Sequence, residues 1–158
     1  MKRDSQNEFT NDFLRRFSSW VGLRKRVAVW LKVKQWLMAN VKGLEKDVMI
    51  GISVRDLKEA ELEILRHVQR SQFGELSDGP LEVKRGHPLY RLGVVCEQGI
   101  LYVVGRHNDT PAFIPENTKR QVLLPKHHVT ELIVRHIHGL TGHAGRETTL
   151  ASLRVKYW

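Results

Sequence analysis

The sequence is poor in three things, and each scarcity excludes something. It has one cysteine, Cys96, so no intramolecular disulfide framework exists, and its cysteine usage suits a reducing, intracellular compartment. It has no apolar window long enough to span a bilayer, which argues against a membrane protein. Met1 to Asn11 are polar, and no seven-residue apolar core follows the basic start, so nothing resembles a secretory signal and the expectation is a protein that is not secreted. Acidic residues are also few, 17 against 26 Lys and Arg, for a formal net charge of +9. Beyond Asp4 near the start, the sparse aspartates, Asp12, Asp47, Asp56, Asp78 and Asp109, are scattered over caps, loops and linkers. They make no two-metal carboxylate constellation, and the chain reads as not an enzyme by itself.

The excess positive charge points to a polyanionic partner, DNA or RNA, because Lys and Arg that neutralise phosphates release counterions. At 158 residues the chain has room for one domain or two small ones. Its patterning suggests an α+β fold in four stretches: a disordered 1–12, a basic amphipathic helix with its linker over 13–52, a helix plus small antiparallel sheet over 53–126, and a helix-turn-helix over 127–158.

In the first helix Trp20, Leu23, Val27, Trp30, Leu37 and Val41 recur at three- and four-residue spacing, an apolar stripe with basic Arg24, Lys25, Arg26, Lys32 and Lys34 around it. Such a helix suits a membrane surface, nucleic acid or a neighbouring protein surface, and the tryptophans favour the last. Gly43 and Gly51 mark a linker. Ser53-Val54-Arg55-Asp56 reads as a capping box that opens a second helix, with Leu57, Ala60, Ile64, Leu65 and Val68 facing inward and Glu59, Glu61 and Glu63 assigned to solvent.

From Leu89 the period shifts to two. Leu89 to Val95, a turn over Cys96-Glu97-Gln98-Gly99, and Ile100 to Gly105 make a hairpin, followed by a loop over 107–120 and a short third strand, Gln121 to Leu124. Three strands are near the minimum for a self-supporting sheet, so the sheet is expected to lean on a helix.

The densest chemistry lies at 127–158, where five of the eight histidines sit. Val129, Leu132, Ile133, Ile137 and Leu140 form the stripe of one helix; Leu150, Leu153, Tyr157 and Trp158 follow helical spacing in the next. Between them Gly139 and Gly142 permit a tight reversal that swings His143 back toward His138. His136 falls on the apolar stripe and reads as a packed residue. On spacing alone the His138/His143 pair is either half of a tetrahedral zinc site or a polar turn.

The run Leu132-Ile-Val-Arg-His-Ile-His-Gly-Leu-Thr-Gly-His-Ala-Gly-Arg-Glu-Thr-Thr-Leu-Ala-Ser-Leu-Arg-Val-Lys-Tyr-Trp158 resembles the first half of the His-His-Cys-Cys zinc-binding domain of retroelement integrases, most closely that of BEL/Pao retrotransposon polyproteins. Arg16 to Trp20 with Val27 to Leu31, the helix from Ser53 to Phe73, the hairpin over Leu89 to Arg106 and Val122 to His128 resemble, in order, the region preceding that domain. Where the family hairpin ends in a Val-Gly-Gly-Arg-like sequence, this one has Val103-Val104-Gly105-Arg106. The resemblance implies zinc as cofactor, His138 and His143 as ligands of an incomplete site, the rest of a retroelement polyprotein as partner, a role in DNA integration, and the nucleus as location. It also implies a domain interrupted before its Cys-x-x-Cys pair and before the catalytic core. Cys96, in the expected hairpin turn, is a poor substitute for those thiolates.

Two other readings stand beside it. One is an autonomous nucleic-acid-binding module that uses Arg24, Lys25, Arg26, Lys32 and Lys34, or Arg135, Arg146 and Arg154. The other is a metal-independent interaction fragment, self-associating or docking through its tryptophan helix.

Overall fold

The computed structural model describes residues 12–43, 51–74, 79–80, 85, 88–104 and 120–158. Residues 1–11 of the expected disordered start, most of the Gly43–Gly51 linker, most of the irregular stretch after Gly74, the Gly105-Arg106 end of the hairpin and the loop over 107–119 lie outside these residues; Asp12, expected to be disordered, is helical. Four helices of nine residues or more and a small antiparallel sheet make the fold α+β: α1 Trp20–Val41, α2 Val54–Phe73, β1 Gly79–Pro80, a 3-10 turn Pro88–Arg91, β2 Val94–Glu97, β3 Ile100–Val103, β4 Gln121–Val122, α3 His128–Leu140 and α4 Arg146–Arg154. The chain divides into two compact units, Met1–Leu65 and Arg66–Trp158. The division falls inside α2, not at the linker or before the histidines, where the sequence pattern changes.

In the first unit, Ser19 caps α1 by accepting from the Gly22 N–H. Trp20, Leu23, Val27 and Ala28 are buried, as the stripe requires. The stripe then fails: Trp30 is 60% exposed and Val41 88%. The N-terminal half of α2 supplies partners to α1 through charge. Its capping box closes as expected, with Ser53 N–H donating to Asp56 Oδ2 at 2.7 Å and Asp56 N–H to Ser53 Oγ at 3.2 Å. Lys32 adds an ion pair to the same carboxylate at 2.8 Å. That bond, with the two from Ser53, holds the Asp56 carboxyl down to about 2.

Glu61 corrects the sequence reading. It is 3% exposed, not solvated, and its carboxylate pairs with Arg24 at 3.1 Å. A buried carboxylate needs such a partner, since desolvation otherwise outweighs any packing gain. Periodicity places a residue on a face but does not reveal a cation waiting there.

The second unit is built on the sheet, ordered β1-β2-β3-β4 and antiparallel throughout. Two features differ from expectation. The first hairpin strand begins at Val94, because Pro88–Arg91 takes a 3-10 turn, and a two-residue edge strand, β1, precedes it. The turn is the two residues Gln98 (φ 51°) and Gly99 (φ 73°) between the Glu97–Ile100 pair. Two successive positive φ angles match the twist of the flanking strands, as in a type I′ turn. Cys96 is therefore a strand residue, not a turn residue.

Val94 faces Val103 and Cys96 faces Leu101 across the ladder. These four, with Leu89 and Leu123, form the core cluster, against which Phe73 of α2 packs. The sheet thus leans on a helix, as its size demands. Gln69, fully buried in α2, fastens the two together: its Nε2 donates to the carbonyls of Leu101 (3.0 Å) and Leu123 (2.7 Å), and its Oε1 accepts from the Leu101 N–H (2.7 Å). The chain's end gives a further correction. Tyr157 and Trp158 do not extend α4. After Arg154 the backbone runs parallel to β4, with Val122 N–H donating to Lys156 O, Trp158 N–H to Val122 O and Leu124 N–H to Trp158 O, each at 2.9 Å. This pairing covers a strand edge that would otherwise expose its N–H and C=O groups.

Candidate metal centre

α3 begins at His127, whose extended backbone (φ −152°, ψ 157°) and Nδ1, accepting from the Val129 N–H at 3.1 Å, cap the helix. An imidazole replaces the usual Ser or Asp oxygen in satisfying a free N–H of the first turn. Val129, Leu132 and Ile133 are buried below it. The stripe ends before Leu140, which is 73% exposed. His136, expected on the stripe as a packed residue, is only half-buried.

The helix stops in a tight reversal. Thr141 N–H reaches Ile137 O (3.0 Å), Gly142 N–H reaches Gly139 O (3.1 Å), and His143 N–H reaches His138 O (3.2 Å). Gly142 and His143 both adopt left-handed backbone, φ 64° and 58°. Glycine takes this conformation freely, whereas for an L-residue it costs about 1–2 kcal/mol. The result is that the His143 ring meets the His138 ring edge to face, with centroids 4.7 Å apart and an interplanar angle of 74°. Sequence spacing anticipated this meeting. α4 then starts after Gly145 (φ 90°) and brings a residue that spacing did not single out: Thr149, buried, whose Oγ1 lies 3.0 Å from His138 Nδ1. The signal was half local, since a Thr four residues after Gly145 can bond the Gly145 carbonyl within the helix. Its approach to His138 depends on how α3 and α4 cross.

The donor set, two imidazoles in ring contact, fits a zinc ion in kind. Two imidazoles sharing one tetrahedral zinc at N–metal distances of about 2.0–2.1 Å have ring centroids about 5 Å apart. His143 is exposed and His138 half-buried, so the pair is open to further ligands. Among the described residues no group of three or more His, Cys, Asp or Glu is placed to hold a metal ion. Cys96 does not join the pair; it is buried in the sheet core.

The candidate nucleic-acid residues are spread over both units. Arg24 and Lys32 are engaged with Glu61 and Asp56, and Arg24 also lies over the Trp20 ring. Lys34 sits over Trp30, 5.7 Å from the ring centroid, while Lys25 and Arg26 are exposed. Around the histidines Arg135 makes a 3.7 Å pair with Glu131 one turn away, Arg154 lies over Trp158, and Arg146 is exposed at the start of α4. Among the described residues no helix is long and apolar enough to cross a membrane.

No protein-family description matches this sequence, and no curated protein or solved structure matches it either.

Proposed function

We propose that the chain is a retroelement-derived segment of the BEL/Pao polyprotein type, whose residues 127–158 are the histidine half of an integrase zinc-binding domain. The observation that carries the reading is the His138/His143 ring pair, formed by a helix-turn-helix whose reversal is local and glycine-assisted. With one cysteine in the sequence, the two thiolates of a His-His-Cys-Cys site come from polypeptide outside residues 1–158. Bound zinc supplies folding energy to a module too small to hold itself together. The chain's own part is to present two imidazoles already adjacent, so that less ordering entropy opposes metal capture. It lacks the catalytic carboxylates of an integrase core and is not an enzyme. Its place is inside the cell and, with a net charge of +9, beside DNA or RNA.

The test is zinc titration of the full chain, alone and with a synthetic Cys-x-x-Cys peptide. Two histidines alone should bind weakly. Chain and peptide together should bind zinc at least tenfold more tightly than either separately, and His138→Ala or His143→Gly should remove the gain. The glycine variant is the better control, because it suits the left-handed backbone at 143 and should leave metal-free stability within about 1 kcal/mol. Zinc affinity of the peptide unchanged by the chain would defeat the proposal.

A further inference from the structure

We infer that Thr149 holds His138 in the Nδ1–H tautomer and so assigns Nε2 as the atom His138 offers a metal ion. The metal part rests on the zinc reading above; the tautomer stands on hydrogen bonds alone.

Thr149 Oγ1 lies 2.8 Å from Gly145 O and 3.0 Å from His138 Nδ1. A hydroxyl has one proton, and a carbonyl oxygen only accepts. The Thr149 proton therefore goes to Gly145 O, and the remaining contact needs a proton from Nδ1. A neutral imidazole carries one N–H, so Nε2 keeps its lone pair. Thr149 is only 8% exposed, which limits competition by water. Were the hydroxyl to turn to Nδ1 instead, Thr149 Oγ1 and Gly145 O would face each other at 2.8 Å as two oxygens with no proton between them, a repulsive contact. Free histidine in water favours the opposite tautomer, with the proton on Nε2, so the arrangement reverses the solvent preference. A histidine that ligates a metal through one nitrogen characteristically donates its other N–H to a fixed acceptor, and loss of that acceptor weakens metal binding. Thr149 is thus a positioning residue, acting on metal through His138.

The experiment uses the full ¹⁵N-labelled chain, metal-free, at a pH where the imidazoles are neutral, and reads the two-bond proton–nitrogen correlation pattern of His138. Wild type should show Nδ1–H. Thr149→Ser, which keeps the hydroxyl, should match it, and Thr149→Val, nearly isosteric, should shift the population toward Nε2–H. With zinc alone as titrant, Thr149→Val should bind about tenfold more weakly, or worse, and Thr149→Ser should bind like wild type. An Nε2–H pattern in wild type overturns the inference outright, even if the valine variant fails to fold. Equal patterns in wild type and Thr149→Val also overturn it. Nδ1–H with no zinc binding under any condition upholds the tautomer and defeats the zinc reading instead.

Discussion

Gln69 shows how much can rest on one side chain. Its amide meets three backbone groups, the N–H and carbonyl of Leu101 in β3 and the carbonyl of Leu123 just past β4, from a fully buried position. An apolar replacement of similar size leaves the Leu101 N–H and the Leu123 carbonyl buried and unpaired, at about 1–3 kcal/mol for each one that stays so, while the Leu101 carbonyl keeps the Leu123 N–H at 3.0 Å. Gln69→Leu should therefore destabilise the chain by about 2 kcal/mol or more, read as a fall in urea midpoint with the slope unchanged. A loss below about 1 kcal/mol would mean that the strand carbonyls find other donors. Heptad-like spacing marks position 69 as neighbouring Val68 and Leu65 but does not say that a strand turns its backbone toward it. Thr149 and Glu61 were hidden for the same reason: each is polar, and each is buried only because a specific partner from elsewhere meets it.

At the scale of elements, the start of α2 combines a local device with a tertiary one. The Ser53–Asp56 box could be read directly from four residues, since both bonds lie within one helical turn. The Lys32 pair could not, because Lys32 comes from α1. Together they lower the Asp56 carboxyl from an ordinary 3.8 to about 2. A depressed folded-state value gives stability that is complete above the unfolded value and disappears as pH falls through the folded one. The contribution should hold above about pH 4 and vanish on the way to about pH 2. Urea midpoints measured across that window should fall more steeply for wild type than for Asp56→Asn; parallel curves would show that the carboxylate gains nothing from its partners. The hairpin obeys a similar division. Alternation and Gly99 identified it, while the 3-10 turn at Pro88–Arg91 shortened its first strand, a choice the apolar pattern of Leu89 and Leu92 does not encode.

For the molecule as a whole, the second unit is closed by its last residues. The parallel pairing of Lys156 to Trp158 with Val122 to Leu124 protects the Val122 and Leu124 amides and buries Tyr157. Deleting residues 156–158 should raise hydrogen exchange at those two amides by at least tenfold; unchanged exchange would place their protection elsewhere. Helical spacing had extended α4 through this segment, and the helix yields because a strand edge needs partners more than the chain needs another turn. What the sequence by itself determined was most of what has a short reach: the α+β class, the four main helices, the capping box, a hairpin turning at Gly99, and the reversal that sets His143 against His138. Those depend on periodicity, caps and backbone freedom within a few residues. Tertiary structure alone decided which polar groups are buried and by whom they are met: Glu61 by Arg24, Gln69 by the backbone of Leu101 and Leu123, His138 by Thr149, and β4 by the chain's own end. A partner distant in sequence leaves no periodic trace, and only the folded chain brings the two together.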